Sequence, residues 1–275
     1  MYIVTDIGGT RMRVAGSRDL ETFGEPVIFD TPQDYKVALA RLIGAVDGIS
    51  EGEAIEDIAI GAPGVISRNR RILIHAPNLA RWDGAAIADD AESALDTRVV
   101  LENDTALVGL GEATAGAGKG PAIVAYVTIS TGVNGVRIVD GDIDRATYGF
   151  EIGEQYLGAD ATARTFEQLV SGRAISERFG VRPRELGKDH PVWEELAQVT
   201  ARALHNTNAY WSPERIVIGG SMMNEIGVSI DRIKAHLEFL PRKNPALPDI
   251  VHASLGDVGG LWGGLARLRK ECRRR

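Results

Sequence analysis

Short apolar runs recur along the chain, and most are followed by a turn or by a segment with helical spacing. Runs of this kind that are rich in Val and Ile predict buried strands. They occupy residues 2–4, 27–29, 58–60, 99–101, 123–129, 136–139 and 216–218. Apolar positions spaced three and four apart predict amphipathic helices near residues 33–46, 161–170, 192–210 and 226–239. This alternation of strands and helices is the pattern of an α/β protein.

The first strand runs into a turn in which a carboxylate precedes two adjacent glycines. Residues 6–10 read Asp-Ile-Gly-Gly-Thr, and residues 13–16 predict the returning strand of a hairpin. Glycines at such a turn let backbone N–H groups approach an anion closely. The carboxylate of Asp6 is suited to holding hydrated Mg²⁺ beside a phosphate. Taken alone, the turn is equally consistent with an ordinary tight hairpin.

A similar strand, small-residue turn and returning strand appear in the second half of the chain. The turn covers residues 130–135, between the apolar runs 123–129 and 136–139. This duplication predicts two α/β lobes that each present one hairpin loop to a nucleotide in the cleft between them. A third signal is the strand 216–218, which breaks into Gly219 and Gly220 before a helical segment. Ligands in α/β folds favour such carboxyl ends of strands.

A Gly-rich segment that ends in proline, residues 116–121, predicts the linker between the two lobes. We therefore expect an N-terminal lobe over residues 1–115 and a C-terminal lobe over residues 116–275. The last helix of the chain could pack back on the N-terminal lobe.

Composition limits the classes of partner. The 275 residues suffice for two domains, and 44% hydrophobic with 25% charged residues is typical of a globular chain. A net charge of −7 does not favour nucleic acid or an anionic membrane. The single cysteine, Cys272, excludes an internal disulfide and a cysteine zinc cluster. With no signal-peptide pattern and no long apolar run, we expect a cytoplasmic location and neither membrane nor nucleic acid as partner.

Taken in order, these elements resemble the ROK family of bacterial-type sugar kinases, within the actin-like ATPase superfamily. The resemblance covers essentially the full length and rests on residues 6–10, 61–64, 76–79 with Trp82, 102–104, 131–132, 151–153, 171–172, 219–220 and 255–257. It implies the two-lobed actin-like ATPase (ribonuclease H-like) α/β fold, with a nucleotide and sugar cleft between the lobes. It also implies ATP-dependent phosphorylation of a hexose hydroxyl with Mg²⁺ as cofactor, and it leaves a homodimer open.

The resemblance makes Asp104 the catalytic base, and the local physics agrees. A carboxylate at a helix N-terminus beside a hydrogen-bonding residue, Asn103, is fixed in place and can take a sugar hydroxyl proton during phosphoryl transfer. The alternative for Asp104 is a plain N-terminal helix cap.

The resemblance also implies two sets of binding residues. The sugar ligands are Gly64, Asn103, Asp104, Glu151 and Glu167, the last placed by counting back from the Ser-Gly pair at 171–172. The nucleotide ligands are Gly8, Gly9, Thr10, Arg11, Thr131, Gly132, Gly219 and Gly220, with Asp6 associated with Mg²⁺ through water. For Gly219 and Gly220, a simple turn into a helix is the alternative.

The chain departs from the family at one conspicuous place. Family members continue the Glu-Ile-Gly element with a histidine that contacts both the sugar and a structural zinc, and here that position is Glu154. The cysteine-rich zinc loop is also missing, and residues 156–166 are too few for it, so we expect no zinc. An ionised glutamate only accepts hydrogen bonds. Glu154 therefore either takes over sugar binding or turns to solvent.

Glucose is the leading acceptor, and the alternatives are mannose, fructose, glucosamine, N-acetylglucosamine and N-acetylmannosamine. Polyphosphate is a second candidate donor, for which the one basic cluster, Arg68 with Arg70 and Arg71, would form a phosphate groove unless it is a solvated loop. A non-catalytic sugar-sensing protein is the remaining alternative. Relatives that repress transcription carry an N-terminal DNA-binding domain, which we do not expect here, and Asp104 favours catalysis.

Overall fold

The computed structural model describes residues 1–160, 162–243 and 246–274. Its strands are β1 (Tyr2–Ile7), β2 (Arg11–Ser17), β3 (Val27–Asp30), β4 (Asp57–Ala62), β5 (Val65–Ile66), β6 (Leu73–His75), β7 (Arg98–Asn103), β8 (Ile123–Ile129), β9 (Val133–Val139), β10 (Asp142–Ile143), β11 (Arg215–Gly219) and β12 (Asp249–His252). Its helices are α1 (Tyr35–Ser50), α2 (Ile87–Leu95), α3 (Asp104–Ala115), α4 (Phe166–Val170), α5 (Gly172–Phe179), α6 (Val192–Trp211), α7 (Ile230–Glu238) and α8 (Gly259–Arg273). Within these described ranges, no helix is long and apolar enough to cross a bilayer.

Two predicted helices are shorter than their apolar patterns suggested, because side chains cap them at a later residue. The helix predicted at 161–170 begins only at Phe166, since Thr165 accepts from the Gln168 amide at 3.3 Å and Gln168 Oε1 accepts from the Thr165 amide at 3.0 Å. Its predicted first residue, Ala161, lies outside the described residues. The helix predicted from residue 226 begins at Ile230, after the capping residue Ser229.

The chain divides into two compact units. The first unit contains residues 1–115, 145–149 and 257–275, and the second contains residues 116–144 and 150–256. The predicted C-terminal lobe, 116–275, thus differs from the second unit at residues 145–149 and at its end. The difference at the end involves α8. The physical reason is burial: Leu261, Leu265 and Leu268 of α8 pack against Val4 and Ala59, which lie on one face of the first unit's sheet.

The first unit is built on a five-stranded sheet of order β3-β2-β1-β4-β7. β2 is antiparallel to β1 and β3, whereas β1, β4 and β7 are mutually parallel. Helices α1 and α2 cover one face, where Leu42 and Val46 join the core, and α8 covers the other. Because parallel strands end at the same edge, the turns after β1, β4 and β7 lie side by side. Asp6 pairs with Gly61, and Ala62 pairs with Asn103.

The second unit repeats this arrangement. Its five-stranded sheet has the order β10-β9-β8-β11-β12, with the same two antiparallel and two parallel pairings. Its core gathers apolar residues of α4, α5, α6 and α7, with Phe166, Leu196 and Leu204 fully buried. The turns after β8 and β11 therefore occupy the positions that the turns after β1 and β4 occupy in the first unit.

Glycines let α8 approach α3 closely enough to bring the start of α8 onto the end of β1. A Cβ added at Gly263 would lie 1.8 Å from the Leu107 carbonyl oxygen, and one at Gly111 would lie 2.2 Å from the Gly259 carbonyl oxygen. One turn earlier, a Cβ at Gly260 would lie 2.6 Å from Cγ of Asp6. No larger residue fits at these positions without displacing backbone, so the packing of α8 fixes the surroundings of Asp6.

Candidate active site

The turn between β1 and β2 is fixed by hydrogen bonds to its own backbone. The Gly8 amide donates to the Arg11 carbonyl at 2.9 Å, and Thr31 Oγ1 donates to the Gly8 carbonyl at 2.7 Å. The Thr31 amide also donates to the Thr10 carbonyl at 2.9 Å. Thr10 and Arg11 are exposed at the tip. The predicted phosphate residues 8–11 thus form one ordered, accessible turn.

Asp6 is a buried carboxylate in a crowded electrostatic environment. Its side chain lies 3.7 Å from Arg13 Nη1, and Arg13 Nη2 lies 3.1 Å from the exposed Asp257. Burial is the main cause that raises the pKa of Asp6 from 3.8 to about 7; the charge of Asp104 adds to it, Arg13 opposes it and Asp257 adds a smaller increase. Asp6 therefore binds a proton more tightly than an exposed aspartate does, mainly because it is buried.

At the junction between β7 and α3, the helix cap and the candidate base are two different residues. The Asn103 side chain, not that of Asp104, caps the helix, because Asn103 Oδ1 accepts from the Ala106 amide at 3.0 Å. Asp104 Oδ1 accepts from the Thr105 amide at 2.6 Å. Burial raises the pKa of Asp104 to about 6, against the lowering effect of this hydrogen bond. Asp104 is thus a largely ionised but proton-accepting carboxylate near neutral pH.

The turn after β4 is tied to the same junction. Asn103 Nδ2 donates to the Gly64 carbonyl at 3.0 Å. Gly64 has a φ of 95°, and a Cβ there would lie 2.2 Å from the His75 carbonyl oxygen, so only glycine fits. The first unit therefore brings together Gly64, Asn103, Asp104 and Asp6, four of the residues predicted from the sequence.

In the second unit, the turn after β8 is held by a carboxylate. The Gly172 amide donates to the Ser130 carbonyl at 2.7 Å, and the Val133 amide donates to Glu167 Oε2 at 2.7 Å. A Cβ at Gly132 would lie 2.7 Å from the same Glu167 oxygen. Glu167, predicted as a sugar ligand, is therefore also an anchor of the second hairpin loop in this structure.

The other two predicted sugar carboxylates stand on a short 3-10 turn, Ile152–Glu154, beside this loop. The Glu154 amide donates to the Glu151 carbonyl at 3.1 Å, and both side chains are exposed. A Cβ at Gly153 would lie 2.2 Å from the Val133 carbonyl oxygen and 3.4 Å from Cβ of Glu167. Glu151 and Glu154 therefore do not form a buried carboxylate pair in this structure.

A hydrogen-bonded loop occupies the segment in which family members carry the zinc loop. The Phe166 amide donates to the Gln155 carbonyl at 2.9 Å, and Tyr156 and Thr165 form an antiparallel bridge. Asp160 Oδ1 accepts from the Thr162 amide at 2.8 Å. Among the described residues, no group of three or more His, Cys, Asp or Glu side chains is placed to hold a metal ion.

The turn after β11 borders a cavity. Gly220 has a φ of 96°, and a Cβ there would lie 2.3 Å from the Ile129 carbonyl oxygen. A cavity of about 660 Å³ opens beside this turn, lined by Thr131, Gly172, Arg173, Ser176, Arg182, Pro183, Arg184, Ser221, Met222, Asn224, Glu225 and Ile226. Its volume is in the range of small-molecule sites. Sequence reasoning found Thr131 but missed the wall at 173–184, because nothing in its local pattern marks it as a ligand segment.

Two arginines of the predicted basic cluster are engaged in ion pairs within the first unit. Arg71 pairs with Asp89 and Glu92 on α2, with Nε 2.7 Å from Asp89 Oδ1 and Nη1 2.9 Å from Glu92 Oε1. Arg70 pairs with Glu102 at the end of β7. Two of the three arginines of the cluster are therefore paired with carboxylates, while Arg68 is exposed, so the sequence feature that favoured polyphosphate is weakened.

Comparison with known proteins identifies the family. The family model described as ROK family matches residues 2–271. The chain belongs to the ROK family. The glucokinase of Streptomyces coelicolor is 27% identical over 317 residues, covering 98% of each chain, and the fructokinase of Pediococcus pentosaceus is 25% identical over 242 residues, covering 80% of this chain and 83% of that one.

Solved structures agree with the family match. A ROK family glucokinase from Streptomyces griseus, in complex with glucose and AMPPNP, superposes with a TM-score of 0.80 at 25% identity, covering 98% of this chain and 99% of that one. The predicted two-lobed actin-like ATPase fold is thereby confirmed. The enzyme class is confirmed as well: the chain is a sugar kinase.

Proposed function

We propose that this sugar kinase transfers the γ-phosphate of ATP to a hydroxyl of glucose, with Asp104 as the catalytic base. The observation that carries the proposal is the β7–α3 junction. Asn103 caps the helix and thereby leaves the Asp104 carboxylate available, while burial raises its pKa to about 6. A base of this pKa is ionised at neutral pH and still accepts a proton readily.

In the proposed reaction, the Asp104 carboxylate accepts a hydrogen bond from the sugar hydroxyl. As that hydroxyl oxygen forms its bond to the γ-phosphorus, the bond between the γ-phosphorus and the bridging oxygen breaks and ADP leaves. The hydroxyl proton passes to Asp104 and is later released to water. Asn103 and the Gly64 turn, joined by a 3.0 Å hydrogen bond, would orient the sugar.

For ATP, the proposed contacts in the first unit are the turn residues Gly8, Gly9, Thr10 and Arg11. In the second unit they are Thr131, Gly132, Gly219 and Gly220. The cavity of about 660 Å³ beside Gly220 supports a nucleoside there, since its volume is in the range of small-molecule sites. The solved glucokinase of S. griseus binds AMPPNP, which also supports ATP as the donor.

The residues present fit Mg²⁺ bound through water beside the phosphates. Burial is the main cause of the raised pKa of Asp6, and the nearby charge of Asp104 adds to it. A divalent cation at this place would stabilise the ionised form of both carboxylates. Mg²⁺ keeps several waters and needs only one or two carboxylates together with phosphate oxygens. Asp6 would hold it, and when bound it would offset charge on the transferred phosphate.

Glucose is proposed as acceptor because the S. coelicolor relative is a glucokinase and the S. griseus structure contains glucose. Glu151, Glu154 and Glu167 are the proposed further sugar ligands. An amino sugar such as glucosamine is the second candidate, favoured by these three carboxylates, which lie on the 3-10 turn and in the first turn of α4 beside it. Its ammonium group would be attracted by them.

A coupled assay of ADP formation against a panel of hexoses and amino sugars tests the proposal, with ATP and polyphosphate as parallel donors. We expect the highest kcat/KM with glucose and ATP. The highest value with glucosamine would move the assignment to the second candidate. Sugar-dependent turnover with polyphosphate but not with ATP would refute the proposed donor. Turnover with no sugar of the panel would refute glucose as the acceptor.

A further inference from the structure

An ion pair with a buried carboxylate is formed by Glu102, two residues before the proposed base. Glu102 is the residue before Asn103 at the end of β7, and its side chain is 5% exposed. It pairs with Nη1 of Arg70, and its Oε1 also accepts from the Asn103 amide at 3.1 Å. The sequence analysis placed Glu102 only within a family motif and Arg70 only within a basic cluster.

The backbone of Arg70 is in a conformation that favours glycine. Arg70 has a φ of 55°, in the turn between β5 and β6 that its amide closes by donating to the Ser67 carbonyl at 2.7 Å. A non-glycine residue in the left-handed region is uncommon and destabilises the turn. Five other described non-glycine residues also have a positive φ, and at Arg70 the side chain pairs with Glu102.

The Arg70–Glu102 pair is one of two connections between the β5–β6 hairpin and the β7–α3 junction. At one end of the hairpin, the Gly64 carbonyl accepts from Asn103 Nδ2 at 3.0 Å. At its tip, Arg70 reaches Glu102, which in turn accepts from the Asn103 amide. Asn103 is thus held through both its side chain and its amide. A buried carboxylate without its cation would be costly, so loss of Arg70 would disturb this arrangement.

We propose that Arg70 and Glu102 are positioning residues that fix the β7–α3 junction, and with it Asp104, for phosphoryl transfer. This inference rests on the proposed function of Asp104 as base. Neither residue touches the reacting atoms in this scheme. Both act through Asn103, and a misplacement of the base by about 1 Å is enough to lower turnover by about a hundredfold.

The neighbouring Arg71 provides a matched control. It lies on the same hairpin and is also ion-paired, but its partners Asp89 and Glu92 are on α2 and not at the junction. A change at Arg71 therefore removes an arginine and its ion pairs from the same hairpin but leaves the Arg70–Glu102 pair and the Asn103–Gly64 hydrogen bond in place. If the hairpin served stability alone, changes at Arg70 and Arg71 would have similar consequences.

The experiment compares Arg70→Gly, Arg70→Asn, Arg70→Lys and Glu102→Gln with Arg71→Gln in the full-length chain. Gly and Asn both accept a positive φ, so these variants should fold, and any fall in their melting temperature reports the lost ion pair and not backbone strain. We expect kcat to fall about 10- to 100-fold in Arg70→Gly and Arg70→Asn, with KM for glucose changed less than about threefold. Arg70→Lys should recover most of the lost kcat, and Arg71→Gln should keep kcat within about twofold. In the double variant Arg70→Gly with Glu102→Gln, the losses should be less than multiplicative.

Wild-type kcat in Arg70→Gly, or an equal loss in Arg71→Gln, would overturn the inference while leaving the proposed function intact. Hydrogen exchange of the amides at 102–106 gives a readout that does not depend on activity. It should be faster in Arg70→Gly than in wild type and unchanged in Arg71→Gln. Unchanged exchange in both variants would overturn the positioning role even if the wild-type chain phosphorylated none of the sugars.

Discussion

The hairpin turn after β1 and the hairpin turn after β8 occupy the same position in sheets of the same strand order, yet carboxylates serve them differently. Behind the first turn, Asp6 is buried and its pKa is raised to about 7. At the second turn, Glu167 accepts a backbone hydrogen bond from Val133 at 2.7 Å. Burial disfavours the ionised form of Asp6, whereas Glu167 stabilises its loop through a hydrogen bond.

The difference shows that the duplicated sheet sets where a ligand loop stands, while single side chains set its chemistry. In the first unit, the charge of Asp104 adds to that of Asp6, and both carboxylates bind protons more tightly than an exposed aspartate does. In the second unit, Glu151 and Glu154 are exposed. We therefore expect changes in the first unit to affect the chemical step and changes in the second to affect binding.

The largest effect should come from Asp104→Asn. Asparagine keeps the size of the side chain but cannot accept the hydroxyl proton, so kcat should fall by about 100- to 10,000-fold. Glucose binding, measured by calorimetry, should change little. Near-normal turnover in this variant would remove Asp104 from the role of base.

Glu167→Ala tests the second loop. Loss of the acceptor for the Val133 amide should loosen the turn and lower kcat/KM for ATP by about 10- to 100-fold. Glu167→Gln retains an acceptor oxygen and should be milder. If Glu167→Ala and Glu167→Gln lower activity equally, activity depends on the charge of Glu167 and not on its hydrogen bond to the Val133 amide.

The pH dependence of kcat/KM should report Asp104. Its pKa is raised to about 6, and the base works in its ionised form, so activity should decline as pH falls through 6, by about tenfold for each further unit. Residual activity of Asp104→Asn should lack this decline. An acid limb near pH 4 in the wild type would contradict the raised pKa.

Asp6→Asn tests whether the buried carboxylate of Asp6 lowers the stability of the folded chain at high pH. A carboxyl whose pKa is higher in the folded than in the unfolded chain binds protons more tightly when folded, so stability falls as pH rises from about 4 to about 7. The variant should therefore be more stable than wild type at pH 8, by about 4 kcal/mol, and no more stable at pH 4. Denaturant unfolding at both pH values measures this. A loss of stability at pH 8 would mean that the pairing with Arg13 outweighs the burial of charge.

The smallest effect is expected at Glu154, which is exposed. Glu154→Ala should change kcat/KM for glucose by less than about threefold, and Glu154→His tests the residue that family members carry. Relative kcat/KM across the hexose and amino-sugar panel is the measurement. A selective loss with glucosamine in Glu154→Ala would show that its carboxylate recognises the ammonium group.

The sequence by itself determined the α/β class, the duplicated hairpins and the residues at the strand ends. It could do so because buried strands, glycine turns and a carboxylate before a turn are local patterns. The family resemblance then supplied the sugar-kinase class, which the comparisons confirm. The assignment of binding residues stays a prediction, although the structure gathers those of the first unit around Asn103 and Gly64.

Only the tertiary structure decided which side chain does what. That Arg70 reaches Glu102 depends on the β5–β6 hairpin, which brings together two residues 32 positions apart in the chain. The place of α8 in the first unit follows from leucines that find their partners more than two hundred residues away in the chain. Contacts between residues far apart in sequence leave no local periodicity, so burial and pairing of this kind appear only once the chain is folded.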